Sequence, residues 1–318
     1  MPKMINILLL VMCLVTIITA ERDHGMQRVL KEEDLELERQ LNILNKPPIK
    51  SINTKSGYIV DCVDINKQPA FDHPLLKKHK LQRKPIFERN VTETKVRNSP
   101  IKPKSIFILE KVKCPEGTVP IRRTTKNDLI KKKSSFKDHN LTENGSINHS
   151  GKKGCFNMLC KGFVQVDRSF IFGSRISKIS TYGGTIIDLP LQISRDNVGN
   201  WWLKVADRDI GYFPKALFSS LDNGAQEVGY GGYTTTPAGT TSPAMGSGYM
   251  PDKDYTHASY FKFVKYLNII RTPYDPLAFM VQSSNDAPDC YGLANYKDEM
   301  KRFGYSFLFG GPGGKCNT

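Results

Sequence analysis

The 318-residue chain lacks the short patterns that mark most hydrolases and redox proteins. There is no G-x-S-x-G, which excludes a nucleophile elbow, and no H-E-x-x-H, which excludes a zinc-peptidase helix. Gly246-Ser247-Gly248 has only His257 near it along the chain and is expected to be a glycine-rich turn. No two cysteines are spaced C-x-x-C, and the six histidines are scattered, so the usual zinc ligand sets are missing. The closing run Gly310-Gly311-Pro312-Gly313-Gly314 has the composition of a phosphate loop but no lysine-serine helix start after it; a chain-ending turn is expected. No metal and no cofactor are expected.

Long apolar runs are scarce too. Beyond the first twenty residues none reaches the roughly 18 residues of a membrane span. The early run from Ile5 to Ile18 follows Lys3 and ends in Thr19-Ala20 ahead of Glu21-Arg22-Asp23. This is the layout of a secretory signal over residues 1–20, leaving no membrane attachment after its removal. Glutamate is nearly absent from the second half: only Glu227 and Glu299 follow residue 154.

The net charge of +15 suggests nucleic acid until it is located. Residues 77–153 hold 21 Lys+Arg against 7 Asp+Glu, so one segment carries almost all of it, and that segment has few aromatics. A basic, proline-containing stretch of this kind is a linker or a protease-sensitive junction, and no nucleic-acid partner is expected. Its basic runs Arg122-Arg123, Lys131-Lys132-Lys133 and Lys152-Lys153 make it a place for processing.

With Cys13 in the signal, the mature chain keeps Cys62, Cys114, Cys155, Cys160, Cys290 and Cys316. An even count in an oxidising compartment points to three disulfides, with the pairing left open. Sequons at Asn90, Asn140, Asn144 and Asn148 agree with secretion, and three of them crowd one segment that should be exposed.

What the chain does have is a concentrated aromatic stretch from Gly199 to Tyr233. It holds both tryptophans, Trp201 and Trp202, a strand-like Trp202-Leu203-Lys204-Val205, a turn at Asp207-Arg208-Asp209 and the run Tyr212-Phe213-Pro214. Such patterning predicts short antiparallel strands and tight turns. Trp201, Trp202, Tyr212 and Tyr230 are the candidate binding aromatics, and core packing is the competing role for them. Upstream, Asp23 to Asn45 has the apolar spacing of an amphipathic helix stopped by Pro47-Pro48. Ile59 to Ile65 alternates as a strand, and Lys67 to Leu76 is expected to be extended because of its prolines.

Two groups of motifs carry a resemblance. D-C-V-D-I-x-K-Q-P-A-F-D-H-P-L-L-K from Asp61 and C-P-x-G-T-V-P-I-R-R-T-T-K-x-D-L from Cys114 resemble the activation peptide of the neprosin family, secreted plant glutamic endopeptidases that cleave next to proline. G-C-F-N-M-L-C-K-G-F-V-Q from Gly154, S-T-Y-G-G from Ser180, G-N-W-W-L from Gly199 and M-G-S-G-Y from Met245 are similar to its catalytic domain. The resemblance implies a signal (1–20), an activation-peptide-like region (21–135), a basic glycosylatable linker (136–153) and the C-terminal part of a catalytic domain (154–318). It implies a mainly β fold: an incomplete antiparallel β-sandwich preceded by a small α+β propeptide region. Implied too are bridges within each region, Cys62 with Cys114, Cys155 with Cys160 and Cys290 with Cys316; a bridge across regions would keep them linked after cleavage.

Family catalysis uses two facing glutamates, one ionised to activate water and one protonated. The first lies in an I-E-A-G-W type motif that this chain lacks, since it passes from Phe136 to Gly154 in under twenty residues. The second follows a glycine pair, where Gly231-Gly232 is followed by Tyr233. Glu227, six residues upstream, is a weak stand-in whose strand parity would have to match. Hence the catalytic set is expected to be empty, and two readings stand. One is a degenerate relative that binds proline-containing peptides or proteins and its own propeptide; the other is an active acid endopeptidase with part of its catalytic domain absent from this sequence.

Overall fold

A computed structural model describes residues 31–87, 112–130, 158, 160–174, 176, 178–236, 239–268, 271–297 and 302–316. The signal, all four sequon asparagines, Cys155 and Glu299 lie outside the described residues.

Residues 31–44 form helix α1. Its apolar stripe is covered only in part: Leu37 is buried, Leu41 and Leu44 are half-buried and Leu35 is exposed. Asn45 ends it and dovetails with the main chain of Thr124, accepting from its N–H at 2.8 Å and donating to its carbonyl at 3.0 Å. Residues 126–130 form the short helix α2, opened by Thr125 and Asp128, whose side chains bond each other's backbone N–H as a reciprocal cap. Lys126 then reaches back to Asp34 and Glu38 on α1.

Between these helices lies an antiparallel sheet of β1 (Lys50–Asn53), β2 (Ile59–Asp64) and β3 (Thr118–Arg122), in the order β1-β2-β3. Strand β2 is central and covered on both faces, so its alternating sequence gives an almost continuous run of burial. Asp61 is buried there because Arg123 donates to both its carboxylate oxygens, at 2.6 and 2.8 Å, and Ser51 donates a third bond. Cys62 of β2 is bonded to Cys114.

The expected extension of residues 67–76 is overturned. Pro69–Asp72 and Pro74–Leu76 are two 3-10 turns, each with proline at its start. Proline's fixed φ suits the first position of a helical turn, and the constraint it places on its neighbour falls on Gln68 and His73, which are extended.

The second sheet runs β4 (Val164–Gln165), β7 (Arg208–Phe213), β6 (Trp201–Val205), β5 (Leu191–Arg195), all antiparallel. The β6–β7 turn is Ala206-Asp207, with Ala206 at φ +53°, and not the expected Asp207-Arg208-Asp209. A register shift at Leu203/Lys204 brings Arg208 and Asp209 into the strand. Strand β5 is an edge on which Leu191 and Ile193 are 59% and 68% exposed. The third sheet has the order β11 (Gly292–Lys297), β12 (Ser306–Gly310), β8 (Ser259–Phe261), and a hairpin pairs β9 (Tyr266–Leu267) with β10 (Pro273–Tyr274). The terminal glycines do more than end the chain. Gly311 and Gly314 bridge to Met245 and Ser242, and Cys316 is bonded to Cys290.

The fold is mainly β with antiparallel sheets, and among the described residues helices are few and no sheet closes into a barrel. Its hydrophobic clusters show how the sheets relate. Ala70, Phe71 and Leu81 from the first region pack on Val164, Trp202 and Tyr212 of the second sheet. Among the described residues no cluster contains strand residues of both the second and third sheets.

Candidate functional site

Tyr233 stands in a stretch without strand structure, from Asn223 to Thr236, and is 62% exposed. Just before it, Gly232 lies so close to the Phe309 ring and the Met245 thioether that a Cβ would collide with both. Just after it, the Thr234 hydroxyl donates to Tyr291 at 3.1 Å. Glu227 is exposed in the same irregular stretch, so the strand-parity condition for its substitution has no strand to act on. Among the described residues it is the only glutamate after residue 154.

The four candidate aromatics do not form one face. Adjacent residues on a strand point to opposite sides, so Trp201 and Trp202 part company at once. Trp202 pairs with Tyr212 across the strands, their rings stacked at 4.6 Å, and both are buried. Trp201 pairs with Phe213 on the other face and is half-buried. Tyr230 is exposed and packs edge-on against Phe261 of the third sheet.

What covers Trp202 and Tyr212 is the chain's own segment from Ala70 to Phe87, and the contact is polar as well as apolar. At its centre is Asp196, fully buried in the turn between β5 and β6. Its Oδ1 accepts from the backbone N–H of Val198 and Asn200, at 3.1 and 2.9 Å, which fixes the turn. Its Oδ2 accepts from the Trp202 indole at 2.9 Å and from the Gln82 amide at 2.6 Å. Asn200 completes the arrangement: its carbonyl oxygen accepts from Lys215 N–H, leaving its NH2 to donate to Gln82 Oε1 at 2.7 Å. The Tyr212 hydroxyl accepts from Gln82 N–H at 2.9 Å and shares a hydrogen bond with His79 Nε2 at 2.8 Å, donating to it when the imidazole carries its proton on Nδ1. Burial, with the Asp196 carboxylate adding to it, pushes the Tyr212 phenol up to about 12. A cleft of about 610 Å³ opens beside this network, lined by His79, Lys80, Gln82, Asn200, Lys215 and Asp222 among others.

A second anchor, just ahead of that segment, ties the activation-peptide side to the other edge of the sheet. Gln68 is fully buried, and its side chain takes the place of a neighbouring strand. It accepts from Gln165 N–H at 2.7 Å and donates to the Gln165 carbonyl at 3.0 Å. These side chains thus satisfy a sheet edge that would otherwise be buried without partners.

Desolvation lowers the His79 pKa below its ordinary value. A depressed histidine adds stability that is fully present above the unfolded value near 6.5 and lost as pH falls through the folded one. In the Nδ1–H tautomer, protonation would also turn the acceptor of the Tyr212 bond into a donor. Proteolysis of residues 79–87 is therefore expected to speed up on going from about pH 7.5 to pH 5, with His79→Gln blunting the change. Equal pH dependence in both proteins would show that His79 is not the group responsible.

The sequence model described as Neprosin matches residues 131–312, more than half of the chain. This chain belongs to the neprosin family. The model described as Neprosin activation peptide matches residues 51–154, which include all of the first sheet but Lys50 and the whole covering segment. The neprosin chain therefore carries its own activation region, folded against the part that the catalytic-domain model matches. In that frame the other polar groups have structural roles. The Ser247 hydroxyl donates to the His257 main-chain carbonyl at 2.5 Å and not to its ring. The ring instead pairs with Asp252 at 2.7 Å and stacks on Tyr182, and the carboxylate raises its pKa.

Of the cysteines, Cys62 with Cys114 and Cys290 with Cys316 are joined, and Cys160 is disulfide-bonded. Among the described residues no group of three or more His, Cys, Asp or Glu is placed to hold a metal ion, and no helix is long and apolar enough to cross a membrane. Sequence reasoning did not single out Asp196, Asn200, Gln82 or His79. The D-N-V-G-N run reads as a turn and nothing else, and the partners that give it meaning lie more than a hundred residues upstream.

Proposed function

We propose that this chain is a secreted, catalytically silent member of the neprosin family that acts by binding proline-containing peptides or proteins. The observation that carries the reading is Tyr233, exposed on an irregular stretch, where the family pattern has its second glutamate. A phenol, ionising near 10, cannot take the part of an ionised carboxylate at acid pH. Glu227 lies six residues away along exposed backbone, and catalysis needs position as well as charge. The exposed apolar edge at Leu191 and Ile193 agrees with strands missing before residue 154. For the binding itself, the exposed Tyr230 and half-buried Trp201 are the aromatics open to a proline ring, since Trp202 and Tyr212 are covered. Delivery would use the signal at 1–20, and processing would fall in the basic interval ending at Lys153, ahead of a C-terminal unit of 154–318.

The test is incubation of the secreted, processed protein with a proline-containing peptide across roughly pH 3 to 7, a window that brackets carboxyl titration, with products read by mass spectrometry. No cleavage is expected. Cuts beside proline with an acid optimum would overturn the reading in favour of an active acid endopeptidase. The abrupt passage from Phe136 to Gly154 is what favours that second reading, and transcripts encoding an I-E-A-G-W segment at this junction would establish it.

A further inference from the structure

We propose that the surface around Asp196, Asn200 and Tyr212 is a peptide-binding site that selects a glutamine, and that residues 79–87 fill it in cis. This goes beyond the reading above and does not depend on whether catalysis is lost. The selectivity follows from a chain of fixed donors and acceptors. Lys215 N–H holds the Asn200 carbonyl oxygen, so the Asn200 NH2 must point at position 82. Asp196 presents a carboxylate oxygen at the same position, already held by the Trp202 indole. The occupant must therefore offer one acceptor and one donor side by side, which a glutamine amide does. Glutamate would set a carboxylate against the buried Asp196, and methionine would leave the Asn200 NH2 without its acceptor and Asp196 with one donor fewer.

The main chain of the occupant is held as well. Gln82 N–H donates to the Tyr212 hydroxyl, and Asn197 N–H donates to the Ile86 carbonyl at 2.9 Å. Five residues beyond the glutamine, the Phe87 ring lies under the Arg271 guanidinium at 4.7 Å, a position that favours an aromatic. Gln82 is only half-buried, and the adjoining cleft leaves the network reachable from solvent. The ligand class is a peptide that bends just after a Gln and carries an aromatic five residues beyond it. The segment His79 to Phe87, H-K-L-Q-R-K-P-I-F, is the example the protein itself supplies.

The experiment uses the full chain. Anisotropy of a labelled H-K-L-Q-R-K-P-I-F peptide is measured with wild type and with Gln82→Glu, whose own segment is repelled by Asp196. The expected result is saturable binding to the Gln82→Glu chain, at least about tenfold tighter than that of the same peptide with Glu for Gln, and little binding to the occupied wild type. Equal binding of the two peptides, or none by a Gln82→Glu chain with wild-type near-UV dichroism, overturns the proposal. A second measurement does not rely on that variant. Native trypsin cleavage after Arg83 should be about tenfold faster in Gln82→Met than in wild type, and an unchanged rate overturns glutamine selection.

Discussion

Asp196→Ala is expected to destabilise the protein by roughly 3–5 kcal/mol. The carboxylate is fully buried and gathers donors from four places: its own turn, the Trp202 indole, the Gln82 amide and, at 3.4 Å, the Ile86 N–H. Truncation takes the acceptor from the indole N–H and from the Asn200 N–H, on residues that are themselves buried, and water entering from the adjoining cleft replaces it only in part. Val198 is exposed, so its N–H can turn to solvent and contributes little to the loss. Asp196→Asn should recover only part of it, because one oxygen survives to hold the turn while an NH2 now faces the indole and Gln82 donors. Both tryptophans lie in β6, so their fluorescence during urea unfolding reports on this sheet directly. An alanine variant within about 0.5 kcal/mol of wild type would mean that Asp196 does not organise the sheet.

The same network shows why the fold was more legible in the sequence than the site. Strands β2, β6 and β7 follow from local alternation and β-branched or aromatic residues, and a tight turn joins β6 to β7. The family motifs identified both regions because they are strings of adjacent residues. Function at Asp196 is not local: it arises from three residues on one sheet meeting Gln82 from a segment that sequence alone would leave as a basic, structureless connector. The aromatics failed as a site for an equally physical reason. A tryptophan on a strand looks the same in sequence whether its face is open or covered, and here the covering residues, Ala70, Phe71 and Leu81, come from the activation region. Strand parity alone could have separated Trp201 from Trp202. The two proline turns were misjudged because proline constrains the residue before it more than those after it.

Gly211→Ala is the second large effect, on the order of 4 kcal/mol. Space and not conformation is the reason, since Gly211 is absent from the residues with positive φ. A Cβ there would lie 2.7 Å from the Phe163 ring and 2.9 Å from Gln165 Cα, with the Val164 carbonyl oxygen nearer still. Backbone forms most of that wall, so no side chain can rotate away, and β4 must separate from β7. The ladder between those strands is short, Val164 with Tyr212 and Gln165 with Gly211, extended by the Val166 and Asp167 N–H bonds to the Ile210 carbonyl. Separation also breaks the amide bridge from Gln68 to Gln165, and with it one of the two anchors of the activation region. By contrast, Gly57 and Gly117 have φ of +83° and +77° with nothing near a would-be Cβ, and alanine there should cost only the roughly 1–2 kcal/mol of left-handed backbone. Hydrogen exchange separates the cases: Gly211→Ala should unprotect the Gln165 and Val166 amides, whereas Gly57→Ala should leave them slow. Protection that survives in Gly211→Ala would show that β4 is held by Gln68 and its neighbours more than by β7, making the activation region the principal support of that sheet edge.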